Sequence, residues 1–146
     1  MKECIFCRIV AGLTPAEKIF EDGRTLAFMD INPRSDGHSL IIPKSHASTL
    51  FDIEEEDLLA VMRTAKRITL AIRQALKPDG LLVYQLNGRA AMQLVDHFHL
   101  HLVPRWESDG VDLTHGFQPG DPDQIRAVAQ KIRAALASTN NGKDGS

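Results

Sequence analysis

The sequence predicts an α+β fold: a five-stranded, mainly antiparallel sheet with one long helix and a C-terminal helix. Three observations predict it. Short segments rich in Ile, Leu, Val and Phe alternate with turn residues, one long stretch repeats apolar residues at three- and four-residue intervals, and a shorter stretch near the end does the same. With 146 residues, 43% apolar and 25% charged, the chain matches one ordinary globular domain, expected over residues 1–137.

Residues 18–21 and 25–30 read as two strands, joined by Asp22 and Gly23, a pair suited to the positive φ angles of a hairpin turn. Asn32 and Pro33 break the second strand, and Gly37 opens a third over residues 38–43, whose Leu40, Ile41 and Ile42 read as buried on both faces. Asp52 with Glu55 makes a capping box for the long helix, which carries Leu58, Met62, Ala65, Ile68, Ile72 and Leu76 on one stripe. Its acids Glu54 to Asp57 come first and Arg73 and Lys77 last, the order the helix dipole favours, and Pro78 and Gly80 stop it. Residues 81–86 form the fourth strand, 88–91 a small-residue loop, and 95–103 the fifth and longest strand. After a loop through Gly120, Asp121, Pro122 and Gln124 start a helix with Ile125, Val128, Ala129, Ile132 and Leu136 on one face. The tail 138–146, STNNGKDGS, is expected to be disordered.

Seventeen basic against nineteen acidic residues leave a net charge of −2, so no general field draws in nucleic acid or an anionic membrane. No uncharged stretch approaches the ~20 residues of a membrane span. A soluble, cytoplasmic protein is expected. Its two cysteines, Cys4 and Cys7, are too close to staple a fold; the spacing is that of half a zinc site or of a redox pair, with free thiols as the bland alternative.

The richest segment is HFHLHLVPR, residues 97–105. On a strand, His97, His99 and His101 share one face while Phe98, Leu100 and Leu102 share the other. Successive imidazoles then stand roughly 6 to 7 Å apart, a spacing that suits a phosphate-sized group or a metal. An ordinary half-buried strand is the competing reading, but three of the six histidines lie on this one face. Imidazole titrates near pH 6.5, so one ring can attack while another donates a proton.

The segment HFHLHLV, residues 97–103, resembles the signature of the histidine triad (HIT) superfamily at every position. IFCRIVAG near the start, FMDINP at 28–33, GHSLIIPKSH at 37–46 and NGRAA at 87–91 are similar in order and spacing to its Hint-like branch. The resemblance implies hydrolysis at the α-phosphorus of a purine nucleoside phosphoramidate or related nucleotide through a covalent nucleotidyl-histidine, with dinucleoside polyphosphate hydrolysis or a binding module of little turnover as alternatives. It makes His99 the nucleophile, His101 the donor to the leaving group, and His97 and His38 further members of the catalytic set. It assigns Asp30 to the ribose hydroxyls, Asn87 and Gln93 to the phosphate, unless these two amides only order their loop, and Ile5, Phe6, Ile9, Phe28 and Ile31 to the base. A homodimer, paired through the long helix and a sheet edge, is also implied.

Two positions depart from the family pattern: Met92 stands where glycine is usual and Leu94 where a hydroxyl residue is usual. Leucine cannot replace a hydroxyl contact to phosphate or leaving group, and a larger Met92 is expected to narrow the pocket. Members of the bacterial type with a CxxC pair resemble this chain in a histidine after Pro-Lys and in the first triad histidine. Cys4, Cys7, His46 and His97 would then hold a structural zinc, a complete tetrahedron with no open position for water.

Overall fold

The computed structural model describes residues 4–113 and 118–143. A short helix, α1 (Ile5–Val10), precedes β1 (Lys18–Glu21), β2 (Thr25–Met29) and β3 (Ser39–Pro43); α2 (Glu55–Leu76) follows, then β4 (Gly80–Gln85), β5 (Leu100–Arg105) and α3 (Pro122–Lys143). The strands form one sheet in the order β1-β2-β3-β5-β4, every neighbour antiparallel. The α+β architecture expected above is the one found.

Strand alternation sorts the core onto the two faces of this sheet. Ala27, Met29, Ile41, Leu100 and Leu102 pack against Val61, Ala65, Ile68 and Ile72 of α2 and Val128, Ala129 and Ile132 of α3. On the opposite face Leu26, Phe28, Leu40 and Ile42 pack against Phe6 and Ile9 of α1. His101 alternates with Leu100 and Leu102 along β5, so its ring stands on the α1 face. Removing a fully buried residue such as Ile68 costs about 2–5 kcal/mol, because the transfer energy is lost and a cavity remains.

Local chemistry departs from several expectations. At the first hairpin Gly23 is not in the left-handed region; the Asp22 carboxylate instead accepts from the N–H groups of Arg24 (2.9 Å) and Thr25 (2.8 Å). Asp52 does not cap α2. Its carboxylate accepts from the Thr49 hydroxyl at 2.8 Å, and the helix starts two residues later than expected, with Glu54 in the cap position and no side-chain bond. The stripe of α2 is centred on Val61, Thr64, Ala65, Ile68 and Ile72, which leaves Met62 47% exposed. At its far end Lys77 adopts a left-handed φ of 52°. α3 starts as expected, with Asp121 Oδ1 accepting from the Asp123 N–H, but continues past Ser138 to Lys143. No proline interrupts it there, and Ser, Thr and Asn each disfavour a helix by only about half a kcal/mol. Residues 144–146 of the expected tail, and 114–117 of the loop before α3, lie outside the described residues.

Among the described residues, Gly37 is the one glycine that the fold requires on two counts. Its φ is 92°, and a Cβ would lie 2.6 Å from Leu76 Cδ1 and 3.0 Å from Pro104 Cγ. This close approach lets the chain enter β3 directly after His38.

Candidate active site and metal centre

β5 begins only at Leu100, because its pairings with β3 and β4 end there: Ile41 and Gln85 are the last partners. His97 and His99 therefore sit on an irregular approach to the strand and not within the long strand expected. The consequence is a division of the triad. His97 turns its ring toward the two cysteines, whereas His99 and His101 remain together with ring centroids 4.8 Å apart.

The protons of this second group can be assigned from its partners. His99 Nδ1 lies 2.7 Å from the His97 carbonyl, which can only accept, so Nδ1 carries the hydrogen and Nε2 keeps its lone pair. His38 Nδ1 accepts from the Arg34 backbone N–H at 3.0 Å, which puts the His38 proton on Nε2. That Nε2 lies 3.0 Å from His101 Nδ1 and 3.4 Å from Asp30 Oδ2. His101 Nδ1 is then an acceptor, and His101 Nε2–H remains buried with no partner among the described residues. A buried donor without an acceptor costs about 1–3 kcal/mol unless a ligand meets it.

Burial keeps these rings neutral. Desolvation lowers His38 to about 4, against the pull of Asp30, and lowers His101 further with help from His99 and His38. It also lowers His99, although the hydrogen bond to the His97 carbonyl opposes it. A neutral ring with a free Nε2 lone pair is the nucleophilic form. The ligand atoms of Asp30, His38 and His101 converge closely enough for a metal, but the Arg34 N–H occupies His38 Nδ1. Metal on Nε2 would force a hydrogen onto Nδ1, against that N–H, so the cluster fits a proton relay and not a cation.

Around these rings, Phe6, Ile9 and Phe28 form a close-packed apolar wall, with Phe6 edge-on to His99 at 5.2 Å and to Phe28 at 5.3 Å. Ile5 and Ile31, expected beside them, are 44% and 71% exposed. Asp30 Oδ1 accepts from the Asn32 N–H at 2.8 Å. The two amides expected at the phosphate are engaged with the chain instead. Gln93 accepts from the Gly88 N–H and donates to the carbonyls of Ser48 and Val95, at 2.6, 2.7 and 2.9 Å. Asn87 accepts from the Leu50 N–H at 2.6 Å and exchanges bonds with Gln85. Both order the loops around the site.

Met92 turns its side chain largely to solvent. It is 72% exposed and has a left-handed φ of 74°, a conformation in which glycine is comfortable and a side chain is strained. Leu94 is 54% exposed. Tyr84, opposite His101 in the β4–β5 register, stacks on that ring with centroids 4.2 Å apart and planes 11° from parallel. Its role was not legible in the sequence, because the register of two strands joined by a long loop is set by tertiary pairing.

The other half of the divided triad completes a second cluster. Cys4 Sγ lies 3.3 Å from His97 Nδ1, Cys7 Sγ lies 3.3 Å from His46 Nδ1 and 3.6 Å from His97 Nδ1, and the two Nδ1 atoms are 3.2 Å apart. All four ligand atoms lie within 4.8 Å of one another. A tetrahedral zinc with ordinary bond lengths would put sulfur and nitrogen about 3.5 Å apart and two nitrogens about 3.3 Å apart. The residues fit that ion. His97 Nε2–H donates to the Pro43 carbonyl at 2.8 Å, which directs the Nδ1 lone pair at the thiols, the outer support typical of a ligating histidine. Burial and the neighbouring Cys4 push the Cys7 thiol up to about 11, so a cation is needed to hold it as thiolate. The cysteines also build α1, where Cys4 Sγ accepts from the Cys7 N–H at 3.4 Å. This helix was not expected, since six residues are too few for a period to show.

The HIT domain family matches residues 12–108. An adenosine 5′-monophosphoramidase of Schizosaccharomyces pombe is 37% identical over 134 residues, covering 91% of this chain and 98% of that one. A Zn-bound histidine triad family protein from Mycobacterium smegmatis has the same fold, with a TM-score of 0.86 at 38% identity over 95% of this chain and 96% of that one. A histidine triad nucleotide-binding protein from Sulfolobus tokodaii gives 0.83 at 31% identity, covering 92% and 93%. With the domain match spanning most of its length and the fold shared this closely, the chain belongs to the histidine triad (HIT) family.

Proposed function

We propose that this protein hydrolyses purine nucleoside 5′-phosphoramidates, or closely related nucleotides, at the α-phosphorus through a nucleotidyl-His99 intermediate. The observation that carries this reading is the complementary state of two adjacent rings: a lone pair on His99 Nε2 and an unpartnered N–H on His101 Nε2. The phosphoramidase names of the yeast relatives support the substrate class.

An anionic phosphate beside His101 opposes the desolvation that keeps this ring neutral, so substrate arrives with a proton taken up from solvent onto His101 Nδ1, while the His38 Nε2–H is given over to Asp30 Oδ2. His99 Nε2 attacks phosphorus, the bond from phosphorus to the leaving nitrogen breaks, and the His101 proton goes to the departing amine. The phosphoryl-imidazole keeps its Nδ1–H on the His97 carbonyl. Water then attacks phosphorus and returns a proton to His101, the bond to Nε2 breaks, and the nucleoside monophosphate leaves. Asp30 takes the ribose hydroxyls, and Phe6, Ile9 and Phe28, with Ile5 and Ile31 at the rim, take the base. Asn87 and Gln93 support the phosphate through the loops they order.

Cys4, Cys7, His46 and His97 would hold a zinc ion, and with four protein ligands it would supply a structural cross-link and not an activated water. A homodimer is supported by Leu59, Met62 and Leu70, which leave an exposed apolar row on α2, and by exposed Val83 on the edge strand β4. A cytoplasmic, reducing setting suits two thiols held for a metal; among the described residues no helix is long and apolar enough to cross a membrane.

The test is an active-site titration with an adenosine phosphoramidate, run beside a diadenosine polyphosphate. Wild type should show a burst of nucleotidyl-enzyme, strongest with the phosphoramidate, and His99→Asn should show none while still binding nucleotide. A burst that survives in His99→Asn would remove the nucleophile assignment.

A further inference from the structure

We propose that the Cys4, Cys7, His46, His97 centre sets the aim of the nucleophile, with His97 as the positioning residue that joins the two. This rests on His99 being the nucleophile. The ring of His97 is held at both ends, Nδ1 facing the thiols and His46, and Nε2 on the Pro43 carbonyl. The backbone carbonyl of the same residue accepts from His99 Nδ1–H at 2.7 Å. That single bond decides which His99 nitrogen carries the proton and where the other points. A ring fixed at two ends leaves the backbone of residue 97 little freedom, so whatever holds the ring holds the carbonyl.

A second link runs through α1. Cys4 caps this helix and Cys7 lies within it, and between them Phe6 sets its ring edge-on to His99 at 5.2 Å and to His97 at 5.9 Å. Six residues do not make a helix that is stable alone. Its anchorage comes from its apolar side chains and from the two thiols. Loss of the ion therefore loosens the carbonyl that orients His99 and the ring that flanks it, although neither thiol touches His99 Nε2.

The experiment uses the full chain with ¹⁵N-labelled histidine and reads the two ring nitrogens of His99 by long-range proton–nitrogen correlation. With zinc bound, His99 should show a single Nδ1–H tautomer. After chelation, in protein that circular dichroism shows still folded, it should show an average of both tautomers, and the burst rate should fall about tenfold, the lower end of what loss of an outer supporting contact costs. Restoring zinc should restore both. Unchanged His99 resonances in folded, stripped protein would overturn the proposal. If stripping unfolds the chain, cadmium in place of zinc lengthens the ligand bonds without emptying the site. The His97 resonances must then shift, and those of His99 with them; a shift at His97 alone would overturn the coupling. Failure of the proposed function would appear separately, as no burst in the zinc-loaded protein whatever the tautomer.

Discussion

His38 Nε2 and His101 Nδ1 lie 3.0 Å apart, bringing together two buried rings 63 positions distant in the chain. Both are neutral in the fold, His38 because burial lowers it to about 4 and His101 because burial lowers it further. In the unfolded chain each titrates near its ordinary 6.5. As pH falls below about 6.5 the unfolded state takes up protons that the folded state refuses, so stability is fully present above that pH and is lost as it falls toward 4. Each ring contributes a slope of up to about 1.4 kcal/mol per pH unit. The urea midpoint should therefore drop between pH 7 and pH 5, and a flat midpoint would show that these rings are not buried in the neutral form.

Tyr84 stacks on the same His101, and its ring, more than its hydroxyl, should matter. Tyr84→Phe is expected to retain kcat within a factor of about two. Tyr84→Leu should lower kcat by a few-fold up to about tenfold, the worth of one aromatic stack, with little change in KM and a displaced acid limb of the pH profile. Equal effects of the two variants would mean that the hydroxyl carries the contact.

One zinc per chain is expected on Cys4, Cys7, His46 and His97. Cys4→Ser should lower zinc content and the melting temperature, by about 2–4 °C for each kcal/mol lost in a domain of this size. Acidification should weaken binding, because the ligands are thiolates and neutral imidazoles. Elemental analysis of protein purified without an affinity tag checks the stoichiometry, and an absence of metal would leave the cysteines as plain thiols.

Leu94 is half exposed, at the position where the resemblance to the triad family implies a hydroxyl residue. Leu94→Ser should raise kcat if that contact to phosphate or leaving group limits turnover. An unchanged kcat in a folded variant would show that other donors serve the step.

Met92 holds a φ of 74° with its side chain 72% exposed, so little packing offsets the strain. Met92→Gly should be neutral or stabilising by less than about 1 kcal/mol, since relief of strain is partly offset by the greater freedom of glycine in the unfolded chain. Met92→Val should destabilise by about 1 kcal/mol or more, a β-branched residue being least tolerant of that conformation. Reversal of this order in thermal melts would place the loop in another conformation.

Much of the architecture was written locally. The continuous apolar run Leu40 to Ile42 of β3, the three- and four-residue period of α2, and Asp121-Pro122 at the start of α3 each depend on neighbours within one turn or one strand step, and a linear reading captures them. The pairing of Cys4 and Cys7 and the alternate spacing of His97, His99 and His101 belong to the same class. What the linear reading could not supply was how far the sheet extends. Because the partners of β5 stop at Leu100, the three histidines part company: His97 goes to the cysteines, and His99 and His101 go to His38 and Tyr84. Proton placement was equally out of reach, since it depends on the backbone groups of Arg34, Pro43 and His97 meeting particular ring nitrogens. The sequence by itself determined which chemical groups are present and which local elements carry them. Only the tertiary structure decided which nitrogen keeps a lone pair and which keeps a hydrogen, because that depends on how the folded backbone aims each carbonyl or N–H at a ring, even where the partners are only four and two positions apart, as for Arg34 with His38 and His97 with His99.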